Sequence, residues 1–137
     1  MPGKNYIKVT SILFIIGAVI SIILYPVAGL LFGYATVETG ESLGWIFVVV
    51  CLFYFLLAVL ELIACVKGLN GCNDKNAAAD LKKWGKILVV IALITGIIAA
   101  IHSVLMDQSI VYGVLSLILG LLLPALYTHG AYLNEKA

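Results

Sequence analysis

Four long apolar stretches separate the polar parts of this chain, and each is long enough to cross a lipid bilayer. A membrane-spanning helix needs about 20 predominantly apolar residues. The stretches cover residues 7–32, 43–66, 86–106 and 110–132, and a kink or helix end is expected near Pro26. None alternates apolar and polar residues with a period of two, which excludes an outer-membrane barrel. The sequence therefore predicts an all-α, polytopic membrane protein with four transmembrane helices.

The composition leaves too little polar surface for a water-soluble fold. Of the 137 residues, 64% are apolar and 11% are charged, whereas soluble domains average about 45–50% and about 25%. The longest link, between the second and third stretches, has about 20 residues, and an independent core needs about 40. We therefore predict a single transmembrane domain over residues 1–137, without a separate catalytic domain.

The links also contain residues that shape the ends of the helices. Gly68, Asn70 and Gly71 are expected to end the second helix. Residues 107–109 read as a tight turn between the third and fourth stretches. Because so short a link joins only neighbouring elements, these two helices are predicted to pack side by side and antiparallel.

The basic residues define the expected orientation. All eight are lysines, and they lie at the start of the first stretch, around the link between the second and third, or after the fourth: Lys4, Lys8, Lys67, Lys75, Lys82, Lys83, Lys86 and Lys136. Because cytoplasmic links collect lysine and arginine, we expect both termini to face the cytosol across a bacterial-type cytoplasmic membrane. Lysines before an apolar run are also typical of a signal peptide, but this run exceeds the usual length of about 7–15 residues. The net charge of +1 argues against a nucleic-acid partner.

Small residues recur at four-residue spacing along three of the stretches. Helices in lipid associate by close packing at such positions. The pattern serves either packing within one bundle or association with a second chain, and spacing alone does not separate the two. The candidate packing residues are Gly17, Ser21, Gly29, Gly33, Ala92, Gly96, Ala100, Ser116 and Gly120.

One acidic residue, Glu61, lies inside an apolar stretch. It precedes Val66 by five residues, so it lies about 7–8 Å from the predicted cytoplasmic end. Acidic side chains in a membrane are costly and usually find a partner inside the bundle. The predicted topology brings Glu61 into a polar cluster with these residues: Lys8, Lys86, Tyr127 and His129. The cluster is either an ion pair that fixes helix register or a proton- or cation-binding site. In the third alternative, the Glu61 side chain extends to the membrane interface instead.

The sequence carries no recognisable catalytic motif, and it predicts no cofactor and no metal site. Cys51, Cys65 and Cys72 lack metal-ligand spacing, and we expect their thiols to stay reduced, with palmitoylation of Cys65 or Cys72 as the alternative. Lys82 and Lys83 are expected to attract anionic lipid headgroups.

These observations favour a non-catalytic membrane subunit or assembly partner. It would act through helix–helix packing, either with copies of itself or within a larger membrane complex. The alternative is a small oligomeric channel or ion-coupled transporter that uses the carboxylate of Glu61.

Overall fold

The computed structural model describes residues 1–105 and 109–137, and four α-helices account for most of them. They are α1 (Lys4–Thr39), α2 (Gly44–Gly71), α3 (Ala78–Leu105) and α4 (Ile110–Lys136). All four are long and apolar enough to cross a membrane, and the described ranges contain no strand. The predicted fold class is confirmed: this is an all-α, four-helix, multi-pass membrane protein.

The helices are longer than the apolar stretches that predicted them. α1 begins at Lys4 and continues through Pro26 to Thr39. Of the kink or helix end expected near Pro26, the helix end is therefore absent, and the kink stays a prediction. α2 continues through Gly68 and Asn70 and ends at Gly71, the last of the three residues expected to end it. Proline and glycine are tolerated in membrane helices because unpaired backbone groups there can be satisfied locally, and a continuous helix avoids exposing a whole turn of polar backbone to lipid.

The turn between α1 and α2 is built on one glycine. Gly40 follows the last residue of α1 with a φ of 71°, a left-handed conformation in which glycine carries no steric cost. Its N–H donates to the carbonyl of Thr36 at 3.0 Å and so closes the helix end. At the start of α4, the Ser109 side chain accepts from the N–H of Val111 at 3.3 Å. Residues 106–108 lie outside the described part of the chain. They include the last residue of the predicted third stretch and the first two residues of the turn predicted at 107–109.

The helices form two compact units. The first, here called the lysine-bearing unit, comprises Met1–Ile12 and Ala64–Ala137 and contains all eight lysines. The second, the lysine-free unit, comprises Leu13–Ile63 and contains no lysine, arginine or histidine. The single transmembrane domain over residues 1–137 stays a prediction.

Within the lysine-bearing unit, α3 and α4 pack side by side and antiparallel, as predicted. Three contacts show the register: Gly85 lies against Thr128, Gly96 against Leu117, and Ala100 against Gly113. From the first of these contacts to the last, the residue number increases along α3 and decreases along α4, as it does in an antiparallel pair. A Cβ atom at Gly113 would lie 3.1 Å from the Cα atom of Ala100, so glycine allows the two backbones to approach closely.

Within the lysine-free unit, α1 and α2 form an antiparallel helical hairpin held by aromatic side chains. Tyr25 stacks on Tyr54 and Phe32 stacks on Phe47, each pair with ring centroids 5.2 Å apart. Such aromatic pairs contribute about 0.5–1.5 kcal/mol beyond the area that they bury. The aromatic contacts therefore fix the register of this hairpin.

Candidate functional sites

Asn134 is fully buried and joins three segments of the lysine-bearing unit. Its Oδ1 accepts a hydrogen bond from the backbone N–H of Gly3 at 2.8 Å, and its Nδ2 donates to the carbonyl of Cys72 at 3.0 Å. The amide thus connects the N-terminus and the end of α2 to the last turns of α4. Sequence reasoning missed Asn134, because it follows the last apolar stretch and its partners lie 131 and 62 residues away.

Tyr127 is the second buried polar side chain that bridges helices in this unit. Its hydroxyl donates to the carbonyl of Ala64 at 2.9 Å, and the residue is fully buried. A Cβ atom at Gly68 would lie 2.5 Å from Ser11 Oγ and 2.8 Å from the Tyr127 hydroxyl. Gly68, expected to end a helix, instead allows segments from α1 and α4 to pack closely on α2. The buried Ser11 Oγ has no hydrogen-bond partner within the described residues.

The N-terminal segment is also held by direct backbone packing. A Cβ atom at Gly130 would lie 2.8 Å from the carbonyl oxygen of Gly3 and 2.9 Å from Ile7 Cγ1. The neighbouring His129 is exposed, and its ring meets that of Tyr6 edge-on at a centroid distance of 5.6 Å. The N-terminal turn of α1 is therefore fixed on α4 by shape as well as by Asn134.

Several lysines in this unit engage nearby acidic or aromatic side chains. Lys82 Nζ lies 2.7 Å from Glu135 Oε2, and Lys67 Nζ lies 3.1 Å from Asp80 Oδ2. Lys67 also lies 5.1 Å from the centroid of the Trp84 ring. These pairs are partly exposed, so each contributes at most about 1 kcal/mol to stability. The part of the chain that is described shows no ion pair for three exposed lysines, Lys8, Lys83 and Lys86. Lys82, predicted to bind lipid headgroups, instead forms a salt bridge with Glu135.

An open apolar groove of about 420 Å³ lies on one side of the α1–α2 hairpin. Both helices contribute to it. Its lining residues are Tyr25, Pro26, Gly29, Leu30, Val48, Cys51, Leu52 and Phe55. Because none of them is charged, the groove offers shape and apolar contact rather than a polar binding site.

Glu61 belongs to the lysine-free unit and is half-buried on α2. The unit contains no cationic residue, so the carboxylate has no oppositely charged partner there. Its electrostatic neighbours within the unit include the hydroxyl of Tyr25.

The predicted polar cluster is divided between the two units. Tyr127 is buried, whereas Lys8, Lys86 and His129 are exposed, and all four belong to the lysine-bearing unit. Glu61 belongs to the other unit. An association of Glu61 with these four residues therefore stays a prediction, while the contacts of Tyr127 and His129 with Ala64 and Tyr6 are defined.

The predicted packing residues fall into two groups. In the first group, the neighbouring helix lies against the small residue. A Cβ atom at Gly29 would lie 3.4 Å from Cys51 Cβ, and one at Gly33 would lie 3.8 Å from Val48 Cγ2. Gly96 and Ala100 contact α4. The second group is open. A Cβ atom at Gly17 or Gly120 would meet no described atom within 4 Å, and both glycines are exposed. The remaining small residues are half-buried: Ser21, Ala92 and Ser116.

Most hydroxyl groups within the helices are satisfied by their own helix. Thr10, Thr95 and Ser103 donate to carbonyls three or four residues earlier, at 2.7–3.3 Å. Thr36 and Thr128 do the same at 2.6 and 2.8 Å. Because each of these hydroxyl groups donates its hydrogen bond within its own helix, they are poorly placed to form a continuous polar path through the membrane.

The described residues contain no group of three or more His, Cys, Asp or Glu side chains that would hold a metal ion. All three cysteines are buried, which shields Cys65 and Cys72 from modification at the thiol. Comparison of the chain with known protein families, with curated proteins and with solved structures finds no match.

Proposed function

We propose that this protein is a non-catalytic membrane subunit that assembles with another membrane protein through its helix faces. The observation that carries the proposal is the open environment of Gly17 and Gly120, whose Cβ positions meet no described atom within 4 Å. Each lies four residues from a serine, Ser21 or Ser116, and so forms a smooth patch on its helix. Patches of this kind allow a second helix to approach closely in lipid.

The energetic cost of these glycines supports the proposal. Glycine inside a helix lowers stability by about 0.5–1 kcal/mol relative to alanine. Gly96 and Gly113 offset that cost by allowing α3 and α4 to pack closely. Gly17 and Gly120 make no such contact within the described chain, so a benefit from these two glycines requires a neighbour outside it.

Exposed lysines support a secondary contact with lipid. Lys83 and Lys86 share the exposed face of α3 with Ile87, which continues into the apolar part of the helix. The anionic headgroup of a phospholipid would lie against the two lysines, and its acyl chains would lie against the apolar surface that follows them.

The experiment that tests the proposal is affinity purification of the tagged chain from its native membranes in mild detergent, followed by native mass spectrometry. A stoichiometric second protein is the expected result. The substitution Gly17→Leu together with Gly120→Leu should release that protein, while Gly33→Ala, inside the hairpin, should retain it. Recovery of a monomer with lipid only would contradict the proposal.

A second candidate function rests on the carboxylate of Glu61, which lacks a cation in its own unit. In an oligomer of identical chains, several such carboxylates could line an ion path and make the assembly a small channel or ion-coupled transporter. Recovery of a homo-oligomer, with ion flux in liposomes that Glu61→Gln abolishes, would favour this function over the first.

A further inference from the structure

The lysine-free unit contains acidic residues but no basic ones. Its acidic residues are Glu38 and Glu41, beside the turn between the helices, and Glu61, inside the apolar part of α2. An ionised carboxylate in a membrane is stabilised by a cationic partner or by hydrogen bonds. No lysine, arginine or histidine of this unit is available to Glu61.

The register of the hairpin locates Glu61 relative to α1. Thr36 lies against Gly44, Gly29 against Cys51, and Tyr25 against Tyr54. Continued at the same rise per residue along both helices, this antiparallel register brings Glu61 to the level of α1 that lies between Gly17 and Ser21.

Helical periodicity places these three residues on the same side of the hairpin. Residues four and seven positions apart share a helix face. Tyr54 and Glu61 therefore share a face of α2, and Gly17, Ser21 and Tyr25 share a face of α1. The stacking of Tyr25 on Tyr54 brings the two faces together. Tyr25 also borders the apolar groove, but the groove residues Leu30 and Leu52 lie about 140° and about 160° around their helices from Tyr25 and Tyr54, away from Glu61.

The surface beside Glu61 has room for another helix. Gly17 is exposed, and a Cβ atom there would meet nothing within 4 Å in the described chain. Glu61 is only half-buried, so part of the residue remains exposed.

We propose that Gly17, Ser21 and Glu61 form a docking face for a transmembrane helix of a second protein that carries lysine or arginine at the depth of Glu61. The small residues let the partner backbone approach, and the carboxylate selects its charge. This inference rests on the proposed role as a membrane subunit and names the class of partner for that role.

The test uses the full-length chain, labelled at its C-terminus and reconstituted in phosphatidylcholine liposomes with labelled synthetic peptides. One peptide is a leucine–alanine transmembrane helix with a single lysine five residues from one end of its apolar stretch, as Glu61 is from Val66, and the matched peptide has glutamine at that position. Association is measured by energy transfer between the labels. We expect the lysine peptide to bind about tenfold more tightly than the glutamine peptide.

Variants of the chain then assign the preference to one carboxylate. Glu61→Gln should abolish the preference for lysine, and Glu38→Gln, at the other end of the same unit, should preserve it. Glu61→Lys should transfer the preference to a peptide with aspartate in place of that lysine, which a merely misfolded variant would not do. Equal binding of the lysine and glutamine peptides by the unmodified chain, or a preference that survives Glu61→Gln, would overturn the inference.

The native complex separates this inference from the proposed function. If a second protein co-purifies with the unmodified chain and remains bound to the Glu61→Gln variant, the subunit role stands and the role of Glu61 is wrong. If no protein co-purifies, the subunit role is wrong, and the peptide preference alone decides whether the face recognises a basic helix.

Discussion

The lysine-bearing unit and the lysine-free unit contain segments of the same two helices, α1 and α2, yet they use different interactions. In the lysine-bearing unit, buried side chains of α4 reach backbone groups of distant segments, as Asn134 does with Gly3 and Cys72. In the lysine-free unit, the hairpin is held by stacked aromatic rings and close contacts between side chains. In the first unit, the buried Asn134 and Tyr127 side chains find backbone partners within the unit, whereas the second unit contains a carboxylate without a cation.

The difference indicates a division of roles along the helices. Hydrogen bonds between a side chain and distant backbone have strict geometry, so they hold the lysine-bearing unit in one arrangement. Apolar contacts are less directional, and a hairpin held by them leaves its outer faces available to other helices. We therefore expect substitutions of the buried polar side chains in the lysine-bearing unit to change stability most, and substitutions of the open glycines, Gly17 above all, to change assembly most.

The largest effect on stability is expected for Asn134→Ala. The change leaves the buried N–H of Gly3 and the carbonyl of Cys72 without their partner, and each unsatisfied buried group costs about 1–3 kcal/mol. The free energy of unfolding should fall by about 2–4 kcal/mol, measured by circular dichroism in mixed dodecyl sulfate and maltoside micelles. The control, Asn70→Ala, alters an exposed asparagine at the end of α2 and should change stability little. Equal effects of the two substitutions would show that the buried amide does not hold the three segments together.

Two glycines of α4 offer a matched test of close packing. Gly113→Leu forces a side chain against the backbone of Ala100, and overpacking of this kind costs about 1–3 kcal/mol. Gly120→Leu, two turns further along, enters open space and should leave the stability of the isolated chain unchanged or slightly raised. The same unfolding assay in micelles measures both variants. A loss of stability for Gly120→Leu as large as that for Gly113→Leu would contradict the assignment of Gly120 to an open face.

A smaller effect is expected for Tyr127→Phe, which removes only the hydroxyl that donates to the carbonyl of Ala64. The buried carbonyl loses this side-chain hydrogen bond, and the expected loss is about 1 kcal/mol. Tyr112→Phe on the same helix is the control, because Tyr112 is exposed. Thermal unfolding in maltoside micelles, followed by circular dichroism, is precise enough to compare the two. No difference between them would mean that the Tyr127 hydroxyl contributes nothing to the packing of α4 on α2.

The smallest effect on stability is expected for Gly17→Ala, and its sign is opposite. Alanine should stabilise α1 in the isolated chain by up to about 0.5–1 kcal/mol, because no described atom crowds the new methyl group. It should also weaken the native complex, since the methyl group stands between Gly17 and the partner helix. Gly33→Ala is the control: it faces Val48 within the hairpin and should not affect the complex. Parallel measurements of unfolding and of co-purified partner test both parts, and unchanged partner recovery with Gly17→Ala would remove Gly17 from the assembly face.

The parts of the structure that were predicted from sequence are those with a local pattern. The four apolar stretches predicted the four helices, and the short link between the last two predicted the antiparallel packing of α3 and α4. Near Pro26 the sequence left a kink and a helix end open. The helix does not end there, because unpaired backbone groups in lipid cost more than the local effect of proline. The eight lysines predicted the orientation of the termini, which stays a prediction.

The candidate sites were less predictable because they depend on distant contacts. Nothing in the sequence around Asn134 indicates that its amide bonds with Gly3 and Cys72. The spacing of small residues identified Gly17, Gly29 and Gly120 alike, but only the structure separates Gly29, which faces Cys51, from the two open glycines. Glu61 was conspicuous in the sequence, whereas its position level with Gly17 and Ser21 follows only from the register of the hairpin.

The most direct test of the open assembly face is site-specific photo-crosslinking in native membranes. A photoreactive residue at Leu24, which lies two turns from Gly17 on the same face of α1, is compared with one at Ile23, which points elsewhere. The two side chains are similarly exposed, at 59% and 64%, so both should reach lipid equally. We expect a protein-sized adduct from position 24 and lipid adducts alone from position 23. Lipid adducts alone from both positions would contradict the claim that this face of α1 binds a second protein.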